Sequence, residues 1–126
     1  MTPNLILARL GVSLEYTSDL PDDWVGAYLD DEKLVLIRRG LTPEHDEQAC
    51  WHETAHAFYG DRVSTPSIER RAWVYAARMI VDPMKYAAAE RISTSSLFIA
   101  QELGTTARII ETYRAAIVHG TLKLAA

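Results

Sequence analysis

Trp51-His52-Glu53-Thr54-Ala55-His56 carries the pattern His-Glu-x-x-His inside a stretch with helix signals at both ends. A helix turns once in about 3.6 residues, so side chains four apart stand one above the other. His52 and His56 can therefore offer two imidazole nitrogens to one cation. Glu53, one step round the helix, can lean over the open side of that cation as a general base and not as a ligand. The plainer alternative is a surface helix with two solvated histidines, so the flanking residues matter. Thr42-Pro43-Glu44 opens the helix: Thr42 as N-cap, Pro43 at the first helical position, Glu44 and Asp46 against the positive end of the dipole. Gly60 stops it after Tyr59. Cys50 points about 200° away from His52 and reads as a buried, inert thiol. His45 lies two turns before His52 and reads as solvated.

A hydrolytic zinc site commonly uses three protein ligands and keeps one position open, so one ligand is missing. Asp61 and Glu69 are the candidates. A metzincin would place its third ligand six residues after the second histidine, but Gly60 and Asp61 fall four and five after His56. Glu69 is favoured. It stands at the start of a second helix opened by Thr65-Pro66 and running to Val81, with apolar positions 68, 72, 75, 76, 79 and 80 in helical period. Two helices would then face each other across the metal.

Working outward, Asn4 to Leu10 reads as a short amphipathic helix with Leu5, Ile6 and Leu10 inward and Gly11 in a left-handed turn. Val12 to Tyr16 is a weak strand signal, and Pro21-Asp22-Asp23 a turn. Trp24 to Leu29 and Lys33 to Arg38 flank the acidic tip Asp30-Asp31-Glu32 and predict an antiparallel hairpin. Asp82-Pro83 opens a further helix through Glu90. Ser96 to Leu103, Gly104, a Thr cap and a helix with Ile109, Ile110 and Tyr113 inward outline a helix-turn-helix. Since its basic residues are only Arg108, Arg114, His119 and Lys123, a structural helical hairpin is preferred to a DNA-reading one.

The expected fold class is α+β: a single small zincin-like domain over 1–126, with a short antiparallel sheet packed on the metal helix and helices after it. Its parts are 1–41 (helix and sheet), 42–60 (metal helix), 65–82 (third-ligand helix) and 83–126 (C-terminal helices). At 126 residues, 48% hydrophobic and 24% charged, the composition is that of one globular domain. A net charge of −4 argues against a surface built to hold phosphates everywhere. One cysteine allows no intrachain disulfide and suggests a reducing compartment. The opening Met1 to Arg9 lacks the form of a signal peptide, and no apolar run nears the roughly 18 residues of a membrane span. A cytoplasmic protein with no membrane partner is expected.

His52-Glu53-Thr54-Ala55-His56, followed by Glu69-x-x-Ala72-x-x-Tyr75-Ala76-Ala77-x-Met79-Ile80-Val81-Asp82-Pro83, resembles the pattern of the ImmA/IrrE metallopeptidases. The likeness extends to the upstream helix, hairpin and strand and to the C-terminal hairpin, though only the two helix motifs are specific. It implies a Zn2+-dependent endopeptidase with a gluzincin-like core: His52, His56 and Glu69 as ligands, Glu53 as catalytic base. It also implies a protein substrate, a transcriptional repressor of a phage or mobile element being the expected one. The chain departs from the pattern in two places. Trp73 stands where the family often has Asp or Asn and cannot accept a hydrogen bond from a ligand histidine, so Asp61 becomes the candidate to orient one. One residue is also inserted before Pro83. An oxyanion donor would be needed as well, with Tyr59, Tyr75 and His119 as candidates. The rival reading is a regulatory binding module with a vestigial metal site that contacts a repressor or DNA.

Overall fold

A computed structural model describes residues 1–120. Its elements are α1 (Pro3–Leu10), β1 (Ser13–Thr17), β2 (Gly26–Leu29), β3 (Leu34–Arg38), α2 (Pro43–Tyr59), α3 (Pro66–Ile80), α4 (Pro83–Ile92), α5 (Ser96–Leu103) and α6 (Ala107–Val118). The class is α+β, as expected. Lys123 and the end of the 83–126 segment lie outside the described residues.

The signals read around the central helix act as local chemistry requires. The Thr42 hydroxyl accepts from the His45 N–H at 3.3 Å, and Gly60 takes the left-handed conformation, φ 66°, that ends α2. Residues from Gln48 to Ala57 are buried apart from His52, because α2 lies between two hydrophobic groups. On one side Ala49, Cys50 and Ala57 meet Leu7, Val12, Val35 and Ile37. On the other, Trp51 and Ala55 join Ala72 and Ala76 of α3, Ile99 of α5 and Ile109 of α6. Alanines at the α3 contact let the two helix backbones approach closely, which brings the side chains of their flanks within reach of each other.

The predicted hairpin is present, with β2 antiparallel to β3 from Gly26↔Ile37 to Leu29↔Leu34. The sheet as a whole corrects the expectation of an antiparallel one. It is mixed, in the order β1-β3-β2, and β1 runs parallel to β3 from Ser13↔Leu34 to Thr17↔Arg38. The hairpin fixes β2 against β3, and residues 18–25 reverse the chain once between β1 and β2. The first strand must then lie parallel to β3 on its free side. In α1 the inward residue is Leu7, 1% exposed, with Ile6 half-buried, while Leu5 and Leu10 face solvent. The turn at Gly11 folds back on Leu7, whose carbonyl accepts the Val12 N–H at 2.9 Å, and so selects that residue. Met79 of the predicted α3 stripe is likewise exposed.

The C-terminal pair has the expected outline: Gly104 at φ 72° ends α5, and Thr106 caps α6. Ile109, Ile110 and Tyr113 are buried against the helical core, so the inner face of α6 is committed to packing. Arg114 donates to the Thr94 carbonyl at 2.9 Å and to the Tyr86 hydroxyl at 3.2 Å, tying α6 to α4 and to the turn before α5. This is a structural use of the hairpin's cation. Among the described residues no helix is long and apolar enough to cross a membrane.

Candidate metal centre

His52 and His56 stand one turn apart on α2, and Glu69 enters from the first turn of α3, which Thr65 caps by accepting the Ile68 N–H at 3.2 Å. Glu69 Oε1 lies 3.1 Å from His52 Nε2 and 3.2 Å from His56 Nε2. One donor atom from each residue falls within 4.8 Å of the other two, so the group could hold a metal ion. Two imidazoles and one carboxylate, with one side left open, is a donor set that zinc accepts. The preference for Glu69 over Asp61 as the third member of this group therefore agrees with the geometry.

Asp61 lies beside His56. Its Oδ2 lies 2.9 Å from His56 Nδ1, an arrangement in which the ring donates from Nδ1 and keeps the Nε2 lone pair for a cation. Its Oδ1 accepts from Arg71 at 2.7 Å, so Arg71, Asp61 and His56 form one chain of contacts. His52 is held differently. Its ring stacks on Trp73 at 4.2 Å and 17°, and the Arg108 guanidinium carbon lies 3.8 Å from the centre of the same indole. Trp73 thus replaces a hydrogen-bond acceptor with a flat packing surface. The stacking partner is visible in the sequence as the i+4 neighbour of Glu69, but Arg108 arrives from α6 and carries no sequence signal.

Burial pushes the His52 imidazole down to about 4, reinforced by the neighbouring His56 and opposed by Glu69. The ring is neutral near pH 7, as a ligand must be. For Glu69, burial acts upward, but the Ser64 hydroxyl at 2.9 Å and the two imidazoles outweigh it and hold the carboxyl below its ordinary range. Burial pushes Glu53 up to about 7, and its Oε2 lies 3.5 Å from His52 Nδ1. Glu53 fits only because residue 26 has no side chain: a Cβ there would come within 2.9 Å of Glu53 Cγ, 3.2 Å of Ile37 Cδ1 and 3.2 Å of the Leu36 carbonyl. Gly26→Ala is expected to destabilise the fold by about 1–3 kcal/mol through overpacking. Urea denaturation of both chains checks this, and an unchanged midpoint would refute the close approach.

The centre opens on a cleft of about 500 Å3 between α2, the loop from Asp61 to Ser64 and strand β2. The oxyanion-donor candidates are placed elsewhere. Tyr59 and Tyr75 line a cavity beside α3, and His119 lines another between α3 and α6.

No protein-family model matches this chain, and no curated protein matches it. Among solved structures it is similar to a Mycobacterium tuberculosis transcriptional regulator, with a TM-score of 0.66 and 17% identity, over 90% of this chain and 39% of that one. At that identity the likeness shows a shared fold, and the chain spans about 39% of the regulator's length. The expectation of a zinc-dependent endopeptidase is corrected by this comparison: the similar protein is named a transcriptional regulator, which favours the regulatory-module alternative. The His-Glu-x-x-His spacing fixes where donor atoms stand and does not by itself fix what a bound ion does.

Proposed function

We propose that the chain is a regulatory binding module that holds Zn2+ at His52, His56 and Glu69 and contacts a protein partner, a transcriptional repressor being the expected one, within the cytoplasm. The similarity to a transcriptional regulator over 90% of the chain supports regulation, and the donor set supports the metal. The ImmA/IrrE-like helix motifs fit the same proposal as the origin of the metal site. The observation that carries the choice of a protein over DNA is the edge of β2. Its outer side pairs with no strand among the described residues, and it borders the metal cleft. Trp24, Val25, Leu29 and Val63 expose apolar surface along it, with Trp24 53% and Val63 66% accessible. An extended segment of a partner can add to such an edge through its backbone and seat apolar side chains beside it.

Mass spectrometry of proteins retained from host extract, by wild type and by Trp24→Ala, tests the reading. Wild type should retain a DNA-binding repressor, and Trp24→Ala should weaken that complex by about 2 kcal/mol, as expected for a central aromatic anchor. Duplex binding that weakens steeply with salt, with no protein partner retained, would decide for DNA instead.

A further inference from the structure

On the side of α3 where Tyr59 packs, a second concave site is lined by arginine and hydroxyl groups. Ser67, Arg71, Tyr75 and Arg78 follow one another at helical spacing, with Arg70 beside them and Tyr59 arriving from the end of α2. They enclose about 270 Å3, and among the described residues no carboxylate lines the space. The arginine ion pairs to carboxylates among the described residues are those of Arg62 and Arg71, which leaves Arg70 and Arg78 without one. Arg71 is already positioned, with its guanidinium carbon 3.9 Å from the centre of the Tyr59 ring and one nitrogen 2.7 Å from Asp61 Oδ1. Tyr75 is only 8% exposed, yet its buried hydroxyl has no hydrogen-bond partner among the described residues. Burial raises the Tyr75 hydroxyl, the neighbouring Tyr59 adds to this, and Arg78 opposes it, so that hydroxyl and the arginine act on each other electrostatically.

We infer that this site binds the phosphate group of a small molecule, held by Arg70, Arg71 and Arg78 and by the Ser67 hydroxyl. The chemistry favours phosphate over carboxylate. The donors come from a helix face and its flank, they exceed what two carboxylate oxygens can accept, and guanidinium forks match a tetrahedral dianion. A chain with net charge −4 that gathers three arginines around one cavity concentrates positive potential there. The inference goes beyond the regulatory reading and does not depend on it.

Calorimetric titration of inorganic phosphate into the full chain, after EDTA treatment so that no cation can hold the anion, tests it at constant ionic strength. Saturable binding of one phosphate is expected. Arg70→Gln and Arg78→Gln, both at exposed positions, should each weaken it about ten-fold or more with unchanged melting temperature. Tighter binding of phenyl phosphate would assign a phosphate ester as the ligand, and equal or weaker binding would assign the free ion; either result supports the site. Absence of saturable binding, indifference to both arginine variants, or duplex DNA binding through these arginines without phosphate binding would overturn the inference.

Discussion

His56→Ala is expected to abolish metal binding and, with it, the stability that a bound ion lends the fold. The variant keeps only His52 and Glu69, and Asp61 is not placed to replace the lost imidazole because it sits on the far nitrogen of the ring that has been removed. A ligand that binds only the folded chain stabilises it by about 4 kcal/mol when free ligand exceeds its dissociation constant about a thousand-fold. Elemental analysis should find about one equivalent of metal in wild type and almost none in the variant. EDTA should lower the melting temperature of wild type and leave His56→Ala unmoved. Full metal content in the variant would sink the assignment.

The metal-free chain has a distinctive pH dependence, because His52 and Glu53 shift in opposite directions. His52 takes up its proton near 6.5 when unfolded and near 4 when folded, so its contribution falls as pH drops through that window. Glu53 binds its proton near 4.5 when unfolded and near 7 when folded, so its contribution falls as pH rises through that window. Between about 4.5 and 6.5 the two slopes oppose each other.

What the sequence made legible was local. Thr42-Pro43, Thr65-Pro66 and Asp82-Pro83 mark helix starts because capping is short-range chemistry, and α2, α3 and α4 begin at those prolines. The metal group was legible because two of its members lie on one helix and the third is an acidic residue in a capped first turn. The parallel pairing of β1 was not, since a five-residue strand says nothing about which edge it will find. Nor was the use of the hairpin tip. Asp30 and Asp31 read only as a turn, yet they pair with Arg62 at 2.9 and 2.8 Å and fasten the loop that carries Asp61 to the sheet. The arginines of α3 carried no sequence signal of a site, because the cavity that gathers them needs Tyr59, brought beside them from α2 by packing. Function was overreached for a related reason: donor spacing is written locally, whereas the use made of the bound ion is not.

Asp61→Ala is the sharper probe of how the centre is held. It leaves all three donors in place and removes only the group that orients His56. Loss of such a partner typically weakens metal affinity about 10–100-fold, because the ring loses both its fixed orientation and the negative charge that strengthens Nε2 as a donor. Arg71→Gln provides the comparison. It removes the 2.7 Å contact that holds Asp61 but leaves the carboxylate able to reach His56, so its effect should be smaller and in the same direction. Trp73→Ala acts on the other imidazole, whose ring face rests on that indole. It should loosen His52 without altering the basicity that Asp61 gives His56. Competition for Zn2+ against a chromophoric chelator ranks the variants, with circular dichroism confirming that each is folded. If Asp61→Ala binds the ion as tightly as wild type, the Arg71–Asp61–His56 chain is a surface ion pair that happens to lie beside the metal, and the centre is defined by its three donors alone.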